Sequence, residues 1–580
     1  MAILDSACPL DCPDTCSLSV TVEDGRITKV DGSHRNPFTE GFICSKVRRS
    51  PQRVYSPLRL LYPQRRVGPK GSGRFERISW SAAIDSIAQC FKQIVQTDGA
   101  EAILPYHYGG SSGLLGEGAL DQRFFNRLGA SELLKTLCAA PTSTTYRAMF
   151  GAMGGVPPED YHLARAILLW GVNPSATSIH LVPKVRAAQD AGAFVAVIDP
   201  RRTPLAKQAD LHLQPRPGTD VVLALALIDV LIRNARVDHD FIAAHVNGFK
   251  ELAEAVVAPS YAAEVCDVPE RDIIELAERY AGASPAVVRC GWGVERNRNG
   301  GNAVRAILAL AAVAGKLGVR AGGVTMSLGR SFPINNQALS RPDLRRKPVR
   351  QLNMTQLGRI LTEPQTPPVR GLFVYNANPV AVTPNQNLII RGLQRDDLFT
   401  VVHEQVMTDT ALFADILLPA TTMFEQRNLL KSYGNFRLQT SEPVIAPVGE
   451  SKSNVELFQL LSRVMGFDEA ELYADEGKLI DDALLGADDR IVGGRAALHR
   501  DGCAAIKFNG GSEVVQFVTT FPTTASAKIE LCPPELGVPR FEEVPASKYP
   551  LSLLSPATSK TINSIFGEFN LPNPRLDMNT

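Results

Sequence analysis

AILLWGVNPSATSIHLVPKVRAAQDAGAFVAVIDPRRT, residues 166–203, reads as a strand, a loop, a helix and a second strand. Ala166 to Trp170 form an uninterrupted apolar run, and the loop GVNPSATSIH that leaves it carries Gly171, Asn173 and Pro174, all turn formers. A helix is expected around Val182 to Ala191, then a strand at FVAVID whose loop DPRRT starts at Asp199. Working outward, GLFVYNANP at 371–379 repeats the idea, followed by FTVVHEQ and MTDTALFADILLPATT. Recurring apolar strands, Gly/Asn/Pro loops and amphipathic helices are the signature of α/β units on parallel sheets. Two nucleotide-type folds are implied, each with a loop at the carboxyl end of a strand where backbone N–H groups and the next helix terminus favour a phosphorylated ligand. Either loop alone reads as an ordinary turn.

A chain of 580 residues is too long for one core and should divide into roughly three to five domains. With 61 basic against 60 acidic residues there is no electrostatic footprint for nucleic acid or an anionic membrane, and a small-molecule enzyme fits better. Ten cysteines are not arranged as a disulfide framework. MAILDSACPL has neither a basic n-region nor an apolar h-region, so a cytoplasmic protein is expected. The longest apolar stretch, Val221 to Ile232, is short for a membrane span and contains Asp229, which makes it a buried helix.

Cys8, Cys12 and Cys16 sit in CPLDCPDTC, and Cys44 in ICSK. Thiolates this close on one loop cover three irons of a cubane, and a fourth returns from a distance, the layout of an iron–sulfur cluster. The return reads as a hairpin, because Val20 and Val22 alternate with polar residues, Asp24-Gly25 is a preferred tight turn, and Ile27 and Val30 lie on the returning strand. The competing reading is a structural zinc site, which prefers shorter spacings and often uses histidine.

Taken together, the cysteine motif, GVNP, VIDPRRT, PGTD at 217–220, YNANP and ADILLPATT resemble the molybdopterin oxidoreductases of the dimethyl sulfoxide reductase and formate dehydrogenase superfamily. The resemblance implies a [4Fe-4S] cluster on Cys8, Cys12, Cys16 and Cys44, and a molybdenum or tungsten ion held by two molybdopterin guanine dinucleotides. It implies that Gly171, Asn173, Pro174, Asp199, Arg201 and Asp220 hold one dinucleotide, and that Asn376, Asn378, Thr408, Asp409 and Asp415 help to hold the other. The chemistry agrees: a carboxylate can pair with the N1–H and amino group of guanine, while arginine and amide groups meet pyrophosphate. Lys46 matches the lysine that lies between cluster and pterin in many relatives; the alternative is a solvated basic turn with Arg48 and Arg49.

By register against the first loop, Cys138 in LKTLCAAPTSTTYRAMFG stands where relatives place the protein ligand of the metal, a role that suits a soft thiolate. Cys90, Cys266, Cys290, Cys503 and Cys532 read as buried structural cysteines. Formate dehydrogenases carry histidine after the ligand, whereas this chain has Ala139 and Ala140, which puts formate oxidation in doubt. Arg330 falls near an anion-binding arginine of those enzymes, with a surface loop as the equal alternative. His107, His180 and Trp292 are further candidates for lining the site, with packing roles the commoner reading.

The expected fold is multidomain α/β: a β-rich [4Fe-4S] domain at 1–59 joined by 426–545, Rossmann-like α/β domains at 60–133 plus 331–425 and at 134–330, and the start of an incomplete β-barrel at 546–580. The expected function is electron transfer between a small substrate at the metal and an external redox protein or electron-carrier subunit through the cluster. The alternatives are a non-redox hydratase or transhydroxylase of the same superfamily, or a catalytically silent electron-transfer subunit.

Overall fold

A computed structural model describes residues 1–543, 548, 549 and 551–569. The N-terminus forms a three-stranded antiparallel sheet, Ala2–Ala7, Ser17–Glu23 and Arg26–Gly32. The expected hairpin is present. Asp24 and Gly25 take φ of 47° and 75°, the left-handed pair that a tight hairpin turn demands.

The stretch 166–203 builds the centre of a five-stranded, all-parallel sheet. Its order is Leu211–Leu213, Phe194–Ile198, Ala166–Trp170, Ala286–Cys290 and Gly323–Thr325. Every residue of Ala166–Trp170 and Phe194–Ile198 is buried, as a strand covered by helices on both faces must be. The intervening helix runs Leu181–Asp190. The apolar run at 221–232 lies in the helix Asp220–Arg233, buried against the helix Gly300–Val313.

The second sheet has six strands, in the order Phe75–Arg77, Gln64–Arg66, Ile416–Pro419, Phe399–Glu404, Gly371–Tyr375 and Ile103–Tyr106. The last four are parallel and the first two are antiparallel at the edge. In the five-stranded sheet the strand order reverses at Ala166–Trp170, so the loops leaving it and Ala286–Cys290 splay apart and open a crevice. In the six-stranded sheet the parallel strands follow one another in chain order from Ile103–Tyr106 to Ile416–Pro419, and the loops after Ile103–Tyr106 and Gly371–Tyr375 line the second crevice.

Of the segment 426–545, residues 544 and 545 lie outside the described residues, and the rest spreads over three neighbours. Strands Asn428–Lys431, Arg437–Ser441 and Cys503–Ala505 form a sheet packed on Ala2–Ala7. Helix Asn454–Met465 packs on Trp80–Asp98 and Leu120–Leu128, in the core beside the six-stranded sheet. Ile529–Glu530 pairs with Val246–Asn247, next to the five-stranded sheet. Of the barrel segment expected at 546–580, residues 546, 547, 550 and 570–580 lie outside the described residues. Within the rest, Ile562 and Phe566 pack into the core around Cys8 and Cys16. No helix among the described residues is long and apolar enough to cross a membrane.

Candidate functional site

The crevices of both sheets, the cysteine loop and residues 553–563 enclose one cavity of about 1350 Å³. Gly171 opens the first loop at φ 61°, and a Cβ there would stand 2.6 Å from Val294 Cγ2 and 2.9 Å from Val294 N, so only glycine lets these backbones touch. Asn173 follows on the wall, and its buried Oδ1 has no partner among the described residues. Pro174 starts the short helix Pro174–Thr177 and is buried. Asp199, Arg201 and Asp220 also face the cavity. Arg201 N donates to Asp199 Oδ1 at 2.8 Å, and burial raises the Asp199 carboxyl. Burial lifts Asp220 to about 6, although Trp170 Nε1 donates to it at 2.8 Å.

The second loop follows the strand Gly371–Tyr375. Gly110 N donates to the Asn376 carbonyl at 2.9 Å, and Asn376 Nδ2 to the Gly116 carbonyl at 2.8 Å. Asn378 Oδ1 accepts from Thr410 Oγ1 at 2.7 Å, which ties this loop to Thr408 and Asp409 on the next one. Thr408 Oγ1 caps that turn by accepting from Ala411 N. The helix Pro379–Val382 carries Ala381 and Val382 to the cavity wall. Asp415 is not brought there. It precedes the strand Ile416–Pro419, at the amino end of the sheet, and is engaged by Arg66, by Lys70 and by Thr400 N. A position on the same ribbon of sequence does not fix which end of a parallel sheet a residue occupies.

Cys8 N donates to the Cys16 carbonyl at 2.8 Å and closes the cysteine loop; Cys44 precedes the short helix Ser45–Arg48. Burial and then Cys44 push the Cys8 thiol up to about 12. Burial and then Asp14 push Cys12 and Cys16 well up. Thiols packed this way ionise only if a positive centre joins them, which fits the iron of a cluster. Among the described residues no three His, Cys, Asp or Glu side chains are grouped to hold a single metal ion.

Lys46 is buried, unlike the exposed Arg48, so it is not part of a solvated turn. Its Nζ donates to the Ala176 carbonyl at 2.9 Å and to the Thr558 carbonyl at 3.2 Å. The ammonium therefore joins the cysteine loop to the first crevice loop. Cys138 lies on the cavity wall just before the helix Ala140–Phe150. Arg296 Nη1 donates to the Cys138 carbonyl at 2.8 Å, with Nη2 3.7 Å from Sγ. Burial and then Asp11 raise the Cys138 thiol, opposed by Arg296.

Several cavity groups were not singled out by sequence reasoning. Tyr108 shares the wall with Cys138, and burial and then Cys138 push its phenol well up, while Tyr433 Oη donates to Asp11 Oδ1 at 2.9 Å. Asp11 carried a signal, because it directly precedes Cys12; Tyr108 and Tyr433 carried none. Trp292 stacks edge-on against Tyr433 at 5.3 Å, and its buried Nε1 lacks a partner among the described residues. Orphaned polar atoms at Asn173 and Trp292 in a large cavity fit a polar cofactor that supplies the missing partners. Arg330 lines the cavity, whereas His107 and His180 do not. His180 is held between Asp14 Oδ2 at 2.7 Å and the Phe42 carbonyl, and His107 stacks on Tyr375 at 4.7 Å.

The chain matches the family model of the molybdopterin oxidoreductase Fe4S4 domain over residues 1–56, and that of molybdopterin oxidoreductase over residues 59–464. The first match decides between cluster and zinc. The probable oxidoreductases YoaE and YyaE of Bacillus subtilis (strain 168) are 40% and 35% identical to it. These alignments cover 83% and 81% of this chain and 71% and 70% of the relatives. The solved structure of acetylene hydratase from Pelobacter acetylenicus shares the fold, with a TM-score of 0.76 at 24% identity over 93% of this chain and 80% of that one. The cysteine loop, the two crevices and the cavity between them are thus the parts of a known architecture: this chain belongs to the molybdopterin oxidoreductase family, with a [4Fe-4S] cluster and a molybdopterin as its cofactors.

Proposed function

We propose that this chain moves electrons between a small substrate at a molybdenum or tungsten centre and an external redox partner, through the cluster. The observation that carries the reading is the meeting of Cys12, Lys46 and Cys138 on one cavity, with Lys46 reaching from the cysteine loop to the loop of Asn173. Cys8, Cys12, Cys16 and Cys44 would hold the cluster. Two pterin guanine dinucleotides would lie along the crevices, one on Gly171, Asn173, Asp199, Arg201 and Asp220, the other on Asn376, Asn378, Thr408 and Asp409. Cys138 would supply the protein ligand of the metal. When bound, the metal exchanges electron pairs with substrate and the cluster passes them singly. The chain's own residues set the conditions. Lys46 offers a buried positive charge between the two redox groups, which favours added electrons. Arg296 fixes the backbone at Cys138 by its carbonyl bonds, and Tyr108 stands on the same wall.

A second reading, hydration without net redox change, is favoured by the Asp11–Tyr433 pair. It sets a carboxylate on the cavity wall near Cys138, where it can orient a water. The discriminating experiment is anaerobic purification with metal and pterin-nucleotide analysis, followed by turnover with and without an artificial electron acceptor. Turnover that needs no acceptor rules out the first reading. X-ray absorption of Cys138→Ala checks the ligand: the parent should have one more sulfur neighbour at the metal than the variant, and equal numbers would remove Cys138 from the site.

A further inference from the structure

Cys138 stands at the start of a helix that does not cap itself. Helix Ala140–Phe150 begins behind Ala139, whose methyl group accepts nothing from the first amides. The missing acceptor comes from 153 residues away: Glu295 Oε2 accepts from Thr142 N at 2.8 Å and from Thr142 Oγ1. Glu295 and Thr142 are 7% and 2% exposed, so water does not take the carboxylate's place. A carboxylate here also meets the positive end of the helix dipole. The next residue, Arg296, holds the chain on the other side of the thiol, through the carbonyls of Leu137 at 3.2 Å and Cys138 at 2.8 Å. Two consecutive residues thus straddle Cys138. The turn that carries them follows the strand Ala286–Cys290 and is itself tied to the first crevice loop, because Gly291 N donates to the Trp170 carbonyl at 2.8 Å and Gly293 N to the Gly171 carbonyl at 3.0 Å.

We propose that Glu295 is a positioning residue for Cys138: by capping the helix from the neighbouring strand's turn, it fixes where the thiol stands relative to the first crevice loop. The inference rests on the reading of Cys138 as the protein ligand of the metal. A ligand that arrives on a turn is useful only if the turn is held, because the pterins fix the metal independently of it. Arg296 binds only the carbonyls before the helix, and the helix start remains free to pivot about them. Glu295 stops that pivot. Its Oε1 is buried without a partner among the described residues, so the link runs through Thr142 and a single truncation removes it. The two Thr142 donors need an acceptor rather than a charge, so an amide oxygen at 295 can take the same bonds.

The test reads the Cys138 sulfur in holoenzyme of measured metal and pterin content, with iodoacetamide as the probe and peptide mass analysis to locate the label. In the parent the metal should protect Cys138. In Glu295→Ala labelling should be faster by roughly tenfold or more, and X-ray absorption should show a depleted sulfur shell at the metal. Glu295→Gln, which keeps an acceptor for Thr142, should stay close to the parent, and Thr142→Val, which loses one of the two donors, should fall between. Glu425→Ala, which breaks the buried pair with Arg59, should leave Cys138 protected and so separates positioning from loss of stability. A metal-replete Glu295→Ala as protected as the parent overturns the proposal, as does equal labelling in Glu295→Ala and Glu425→Ala. If Glu295→Ala does not fold, Thr142→Val decides, and parental protection there overturns the proposal. Free labelling of Cys138 in a metal-replete parent refutes the ligand reading and the proposal together, an outcome distinct from a protected parent with an equally protected variant.

Discussion

Removing Glu425 should damage the protein more than any surface ion pair could, because its partner Arg59 has nowhere else to turn. The pair meets at 2.9 Å with side chains 2% and 0% exposed. Arg59 also donates to the Ala420 carbonyl and to Ser451 Oγ, yet its Nε and Nη1 have no partner among the described residues. Glu425 in turn accepts from Thr422 N and Val448 N, so one carboxylate ties together the residues after the strand Ile416–Pro419 and those before helix Asn454–Met465. Glu425→Ala leaves a guanidinium buried and unpaired, a change that costs about 3–5 kcal/mol. For a cooperative unit of 150–250 residues, at roughly 2–4 °C per kcal/mol, the first transition falls by about 6–20 °C. Scanning calorimetry beside the cluster's visible absorption reports both the unfolding and its effect on the cysteine loop. Arg59→Met with Glu425→Leu removes both charges and should recover most of the loss. A drop below about 1 kcal/mol in Glu425→Ala, or a double variant as unstable as the single one, would refute the reasoning.

Gly171→Ala should cost about 1–3 kcal/mol through its left-handed backbone, and should also lower pterin content, because the new Cβ meets Val294; unchanged melting and full pterin loading would contradict this. Burial, helped by Arg59, holds buried His403 down at about 4. The unfolded chain takes up that proton more readily, so stability is intact above pH 6.5 and falls as pH drops toward 4, by about 3 kcal/mol over the window. His403→Gln should flatten that acid limb, and melting curves between pH 7 and pH 4.5 read it. Cys12→Ala should lose the paramagnetic signal of the reduced cluster together with iron, and equal iron with an unaltered signal would show that the thiol is not a ligand. Lys46→Met should keep iron and pterin but lower the midpoint potential of the cluster, measured by redox titration, because a buried positive charge that favours reduction is gone.

Local pattern was enough for much of this protein. Ala166–Trp170 and Gly371–Tyr375 were legible as strands because uninterrupted apolar runs between turn residues have few other solutions. The hairpin at Asp24-Gly25 was legible because two left-handed residues in sequence demand that chemistry. The cysteine spacing favoured a cluster because ligand type and spacing are local properties, and the molybdopterin followed from the family resemblance that the cysteine and loop motifs carry together. Other features are decided only when distant segments pack. Asp415 carried a motif but stands at the amino end of its sheet, because strand direction relative to the neighbours is a tertiary fact. Tyr108, Tyr433 and Arg296 reach Cys138 from three separate parts of the chain, and no periodicity connects them. Proximity alone makes them a site: charge acts through distance, and distance here is set by the fold.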